Sequence, residues 1–315
     1  MAQTKHQNLI IIGSGPAGLT AGIYAGRARL NPLILQGKKP GGQLMGTTYV
    51  NNWPGEINIL GPELMLKIQN HAVHTGCELS PESVIKTDLA KKPFTIWTHR
   101  GKELTADALI IASGSLPKML NCPGEAEYWG KGVTSCAVCD AALYQNKNVV
   151  IVGGGDSAME YVFALSKYTD KITVVHILDK LTATYVCQQR ILELPTVKII
   201  YSSTVSEIHG SEGHVTGVTI TNQKTKEQVN MATDGVFLAI GLIPNSAIVK
   251  DQLELDEQGY IKVKNHTHTS IAGVFAAGDV IDPRYRQAIS SAGSGCMAAL
   301  DAERYLNDFS VSHER

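Results

Sequence analysis

The sequence has no second pair of close-spaced cysteines, no long apolar run and no excess of charge, and each absence removes a class of function. Six cysteines stand in 315 residues, and four of them, Cys77, Cys122, Cys187 and Cys296, are scattered singly. That is too sparse for a disulfide scaffold, and a zinc site would want a second pair of ligands at matching spacing. The four single cysteines are expected to be small buried apolar residues. A formal net charge of -1 gives no electrostatic pull toward nucleic acid or an anionic membrane. The apolar run at residues 9–12 is far too short for a signal peptide or a membrane span, and it leads directly into glycine. A cytoplasmic protein with no nucleic-acid and no membrane partner is expected. The chain is 43% hydrophobic and 18% charged with 30 glycines, which suits a globular protein rich in tight turns, and it is long enough for two domains.

What is present is a dithiol set between two glycine fingerprints. Cys136 and Cys139, in the run Cys136-Ala137-Val138-Cys139-Asp140, are spaced to close a small disulfide and exchange electrons reversibly. Ahead of them, residues 8–12 read as a buried parallel strand entering Gly13-Ser14-Gly15-Pro16-Ala17-Gly18 and a helical pattern to about residue 29. In that context Gly13 permits the tight turn and Gly15 lets a pyrophosphate approach the backbone. Gly18 lets the helix pack close, and the helix N-terminus faces the phosphates. The following strand, 32–35, ends in Gln36, a neutral residue where an acidic one would hold a ribose hydroxyl; its amide can still bond a ribose.

Residues 41–55 read as a long, turn-rich loop containing Gly42 and Gln43, and such loops are more often functional than not. A helix is expected over 61–76 and alternating segments over 93–98 and 106–112. The second of these ends in Ala112-Ser113-Gly114, small residues that let backbone meet a nucleotide. Strand 148–152 then leads into Gly153-Gly154-Gly155-Asp156-Ser157-Ala158, a second fingerprint closed by alanine, with a helix to about 168 and a strand over 171–176 that ends in His176. The chain therefore holds two similar βαβ modules and belongs to the α/β class. Residues 198–234 read as an antiparallel meander, 235–240 as a buried strand, 273–279 as a strand ending in Gly278-Asp279, and 286–306 as a helix. Residues 114–117 and 241–245 look like connectors.

Taken together these residues resemble the low-molecular-weight bacterial thioredoxin reductases over nearly the whole chain, most closely in the run 273–306. The resemblance implies two Rossmann-type domains, the second inserted into the first: residues 1–116 and 245–315 bind FAD, and 117–244 bind NADPH or NADH and carry the dithiol. It places the FAD pyrophosphate on Gly13, Gly15 and Gly18, Gln43 and Asn52 beside the flavin, and the ribitol on Asp279. Arg286, Gln287 and Ala288 sit where the last helix points its N-terminus at the isoalloxazine. It implies that hydride passes from nicotinamide to flavin and that electrons then open the Cys136–Cys139 disulfide. Cys139 is then the flavin-proximal sulfur, and Cys136 attacks the disulfide of thioredoxin or a thioredoxin-like protein. Asp140 matches the family's general acid; the alternative is a carboxylate that only tunes the thiols. A homodimer is implied as well. Because dithiol and nicotinamide must reach one flavin from one inserted domain, that domain is expected to rotate about the two connectors.

One stretch departs from the family. NADPH-linked members end the strand after the second fingerprint in His-Arg-Arg, with a third arginine four residues on. Here the run is His176-Ile177-Leu178-Asp179-Lys180-Leu181-Thr182. Losing three charge-assisted contacts should weaken NADPH by roughly a hundredfold or more unless Lys180 or His176 compensates. Asp179 would suit a free 2′-hydroxyl. Three readings stay open here: a thioredoxin reductase using either nucleotide, a related flavin-dependent disulfide reductase fed by ferredoxin or a deazaflavin, and a slow-turnover flavin redox sensor.

Overall fold

A computed structural model describes residues 5–47, 49–50, 52–194 and 196–313, the side chains of 192 and 309–313 excepted. The chain forms two compact units, one made of the chain up to Leu116 and from Ile243 onward, the other of Pro117–Leu242.

The outer unit is built on a seven-stranded sheet. Its first strand, Lys5–Ile12, is exposed at its start and fully buried over Leu9, Ile10, Ile11 and Ile12, because both faces of a parallel strand are covered. It pairs in parallel with Leu33–Leu35 on one side and with Glu103–Ile111 on the other. Glu78–Ser80 extends the parallel edge beyond Leu33–Leu35. Strand Glu103–Ile111 carries two partners along its far edge. Its first half meets Phe94–Thr98 antiparallel, and its last residues meet Val274–Ala276 in parallel. Val84–Asp88, a strand the sequence pattern did not suggest, closes the antiparallel edge against Phe94–Thr98. Helices α1 (Pro16–Arg27) and α2 (Gly61–His74) cover one face of this sheet together with the long C-terminal helix.

The inserted unit has a five-stranded parallel sheet in the order Val133–Thr134, Gly235–Leu238, Val149–Val152, Ile172–Val175, Lys198–Ile200. Helix α3 (Ala137–Asp140) holds the dithiol, α4 (Asp156–Leu165) follows the second glycine turn, and α5 (Tyr185–Leu192) precedes the last strand. The antiparallel meander comprises Ser203–Ser211, His214–Asn222 and Gln228–Ala232. It is therefore shorter than the expected 198–234, since Lys198–Ile200 completes the parallel sheet; three alternating residues fit either kind of pairing.

The C-terminal helix α6 runs Ala288–His313 and does not begin at Arg286 as the pattern suggested. Arg286 has φ of 52°, outside the helical region. The Asp282 carboxylate accepts the backbone N–H of Arg284, Tyr285 and Arg286, which holds the preceding turn open until Gln287. Among the single cysteines only Cys77 is fully buried; Cys122, Cys187 and Cys296 are half-exposed. The Cys77 thiol donates to the Gly22 carbonyl at 3.0 Å, and burial pushes its pKa to about 11, so it is inert packing. No helix among the described residues is long and apolar enough to cross a membrane.

Candidate functional site

In the outer unit the first fingerprint forms the turn from Lys5–Ile12 into α1. Gly13 has φ of 112°, and a Cβ there would lie 2.2 Å from the Ala112 carbonyl oxygen. A Cβ on Gly18 would lie 1.9 Å from the Gly13 oxygen, so the helix seats directly on its own turn. Gly15 is different: nothing in the protein lies within 4 Å of its missing Cβ. Two glycines are thus required by the protein and the third faces open space, which is the arrangement a pyrophosphate needs. Buried Ser14 donates to the Gln36 carbonyl and accepts from the Gly41 N–H, each at 3.1 Å, tying two loops under the turn. Gly42 packs over Gly15, its missing Cβ 3.2 Å from the Gly15 Cα. The Gln36 side chain, expected at a ribose, donates to Gln69 of α2 at 3.1 Å.

Of the remaining predicted residues of this unit, Gln43 reaches Asp279. The Oδ1 of Asp279 accepts from Ser291 at 2.9 Å, and its Oδ2 accepts from Gln43 at 3.3 Å and from Ser115 at 3.4 Å. Burial raises the Asp279 pKa, while the Ser291 and Ser115 hydroxyls pull the other way. Asn52 donates to the Gln287 side chain at 3.4 Å, joining the turn-rich loop to the start of α6. Ala112, Ser113 and Gly114 follow the strand end beside the turn, with Ser113 and Asn245 exchanging two hydrogen bonds at 2.8 and 2.9 Å. Gly278, φ 78°, lets this segment pass Ala17 of α1, where a Cβ would approach to 2.8 Å. The Arg286 charge favours the ionised Asp279, and Ala288 opens α6. Ser115 and Ser291 were not foreseen: lone serines carry no spacing signature.

In the inserted unit the second fingerprint repeats the backbone solution. Gly153 has φ of 137°, and a Cβ would lie 2.4 Å from the Ala239 oxygen. A Cβ on Gly154 would strike the His176 ring at 2.5 Å, and that of Gly155 would meet only the Thr182 hydroxyl at 3.6 Å. Asp156 at the start of α4 accepts the Thr184 N–H and hydroxyl at 2.8 and 2.9 Å, bonds that lower its pKa. Ser157 stands next to it, half-buried.

The dithiol is the third element. Cys136 and Cys139 are joined by a disulfide with Cα atoms 5.3 Å apart, and both residues are half-buried. Cys136 caps α3, its sulfur accepting the Cys139 N–H at 3.3 Å. Thr134 links the pair to Asp140: its hydroxyl accepts the Cys136 N–H at 3.2 Å and donates to Asp140 Oδ2 at 2.5 Å. Burial is the larger influence on Asp140 and raises its pKa, against the Thr134 bond, which favours the ionised form. Nearby Tyr144 is buried, and its pKa is pushed up to about 12 by burial first and by the Asp140 and Asp234 charges next. Tyr161 of α4 donates its hydroxyl to the Ser135 carbonyl, fixing the residue before the dithiol. Sequence reasoning missed both Thr134 and Tyr161.

Two dinucleotide turns on α/β units and a redox-capable disulfide define a nucleotide-linked disulfide oxidoreductase. A family model described as pyridine nucleotide-disulphide oxidoreductase matches residues 7–295, and the chain belongs to that family. The chain is also similar, at 45% identity across 98% of its length and 100% of the relative, to the thioredoxin reductase of Buchnera aphidicola subsp. Schizaphis graminum. It is 46% identical to that of Dictyostelium discoideum, over 98% of this chain and 99% of the relative. Among solved structures, thioredoxin reductase from Giardia duodenalis superposes with a TM-score of 0.90 at 45% identity, covering 96% of this chain and 100% of that one. That from Streptococcus pyogenes gives 0.90 at 37% identity, over 97% and 100%. The enzyme is an oxidoreductase acting on a disulfide, with FAD and a pyridine nucleotide as cofactors.

Proposed function

We propose that the chain reduces the disulfide of thioredoxin or a thioredoxin-like protein, with FAD held by residues 1–116 and 245–315 and the pyridine nucleotide by residues 117–244. The observation that carries this reading is the oxidised Cys136–Cys139 pair with a half-buried carboxyl tied to it through Thr134. Support for the partner comes from relatives of that name matched along nearly their whole length.

The outer unit fits FAD. Gly13 to Gly18 leave an open cradle at Gly15 only, and Asp279 offers a carboxylate held by three donors. Gly13, Ser14, Gly15, Pro16, Ala17 and Gly18 would hold the pyrophosphate. Ala112, Ser113, Gly114, Gln36 and Gly42 would flank it, and Gly278 and Asp279 would take the ribitol. Gln43, Asn52, Arg286, Gln287 and Ala288 would border the ring. Bound FAD supplies a centre that accepts a hydride and delivers its electron pair to a disulfide.

The chain's own residues do the rest. When the Cys136–Cys139 bond has taken up an electron pair, Asp140, protonated over a wider pH range because of its partial burial, gives a proton to Cys139 and leaves Cys136 as the thiolate. The Cys139 N–H favours charge on Cys136, which attacks one sulfur of the partner disulfide while the other leaves and is protonated. Cys139 then loses its proton, attacks the Cys136 sulfur and restores the ring, and the partner departs as a dithiol. Gly153, Gly155, Asp156, Ser157 and His176 are assigned to the nucleotide.

A homodimer and a cytoplasmic location complete the proposal. Tyr24, Leu66, Val73, Ile289, Met297 and Leu300 leave apolar surface exposed on α1, α2 and α6 of the outer unit, as an interface would. Four free cysteines beside one disulfide suit a reducing compartment. The test is anaerobic: protein reduced by dithionite and freed of excess reductant is mixed with oxidised thioredoxin, and thioredoxin thiols are counted. Thiols should appear in proportion to enzyme; none would refute the assignment.

A further inference from the structure

The rim of the inserted unit's glycine turn is the chain from His176 to Ala183, and its course is fixed at both ends. Ser202 and Ser203 donate backbone N–H groups to the Leu178 and His176 carbonyls, each at 2.9 Å. At the other end Gly154 O accepts the N–H of Thr182 and Ala183 and the Thr182 hydroxyl, at 2.8, 3.0 and 3.2 Å. Between these anchors the rim offers a nucleotide no arginine, and both of its nearby ammonium groups, Lys180 and Lys224, lie beside Asp179.

Ile177 is 59% exposed and Leu178 is 48% exposed, so the rim presents bare hydrocarbon where it leaves the strand. Asp179 follows and is paired with Lys224 at 3.2 Å. Lys180 is exposed next to the same carboxylate. His176 is only 5% exposed, neither ring nitrogen has a hydrogen-bond partner, and burial lowers its pKa, the nearby Lys180 backbone offsetting only part of this. It packs against Gly154 as a neutral ring and contributes no positive charge. Most telling, the whole inserted unit contains a single arginine, Arg190, and its guanidinium lies 4.1 Å from the centre of the Phe163 ring. A 2′-phosphate is a dianion that wants guanidinium or ammonium partners, whereas a free ribose hydroxyl wants a carboxylate.

We propose that this rim selects a dinucleotide with a free 2′-hydroxyl, NADH over NADPH, the apolar pair Ile177 and Leu178 withholding phosphate contacts and Asp179 opposing a second anion. This rests on the assignment of the turn as the pyridine nucleotide site and names the nucleotide that the site takes.

The test separates binding from turnover. Calorimetry on the FAD-loaded, oxidised protein compares 5′-AMP with 2′,5′-ADP, the adenosine ends of NADH and NADPH. Wild type should bind 5′-AMP tighter by about tenfold or more. Ile177→Arg with Leu178→Arg should reverse the order, and Asp179→Asn should narrow the gap by strengthening 2′,5′-ADP. The three positions are exposed, and an unchanged melting midpoint checks the fold. Equal or tighter binding of 2′,5′-ADP by wild type overturns the proposal, as does an arginine pair that leaves the order unchanged. If neither ligand binds at millimolar concentration it is also overturned, and the donor is then a protein or a deazaflavin. Dithionite-reduced protein from the same preparation is mixed with oxidised thioredoxin in parallel. Failure there refutes the disulfide-reductase reading, while the ligand order still decides this one.

Discussion

The two glycine turns solve one backbone problem and differ in everything laid around it. In both, the first glycine takes a positive φ with its missing Cβ aimed at a carbonyl, Ala112 in the outer unit and Ala239 in the inserted one. In both, the third position of the fingerprint has room for a Cβ, open at Gly15 and bounded at Gly155 only by the Thr182 hydroxyl at 3.6 Å. The difference begins at the last position. Gly18 has no room for a Cβ, whereas Ala158 fits one and is fully buried, so α1 sits closer to its turn than α4 does. It continues at the second position. Ser14 bonds two loops beneath the outer turn, whereas Gly154 faces a buried histidine ring with no partner. Many fixed polar contacts suit a cofactor held through every cycle. A sparse rim with exposed side chains suits a ligand that arrives and leaves.

The largest effect should come from the element that has no counterpart in the outer unit. Cys136→Ser or Cys139→Ser should abolish thioredoxin reduction while the protein stays yellow; activity near wild type in either would remove the dithiol from the mechanism. Next, Gly18→Ala should destabilise the outer unit by about 1–3 kcal/mol through overpacking and lower its FAD content, read by thermal melting and absorbance. The mirror change, Ala158→Gly, should cost about 1 kcal/mol, with FAD retained. If both changes behaved alike, the closer seating of α1 would have no energetic weight.

Smaller and more selective effects should follow at the open glycines. Gly15→Ala introduces a methyl into space free of protein, so apoprotein melting should hold while FAD affinity falls. Gly155→Ala should do the same to nucleotide binding with FAD content unchanged, measured by titration of each ligand. The smallest effect expected is a shift along the pH axis. Thr134 donates to the ionised Asp140 carboxylate, so Thr134→Val should raise the Asp140 pKa further and move the alkaline limb of disulfide reduction to higher pH. The sign for stability is the same as for any raised carboxyl. The contribution is complete below the unfolded carboxyl pKa and is lost as pH rises through the folded value.

Local features of the sequence carried both turns and the dithiol, because each is written in contiguous residues whose spacing has a mechanical reason. Asp279 and Gln43 are 236 residues apart and were reachable only through resemblance to a family. Thr134, Ser115, Ser291 and Tyr161 were not reachable at all. A hydroxyl becomes part of a site through what packing sets opposite it, and nothing in its neighbours announces that. Helix α5 escaped for a related reason: its described side chains bury only Ile191, so its apolar pattern is faint. Gln36 shows the opposite case, a residue whose type allowed a ribose contact and whose amide was given to Gln69 by the fold.

The segments Ser115–Pro117 and Leu242–Pro244 pair with each other in a two-stranded ribbon. Entry to and exit from the insert are therefore hydrogen-bonded neighbours. In terms of chain topology the insert is a cassette, and a short peptide bridging Gly114 to Asn245 would splice it out without changing the strand order of its host.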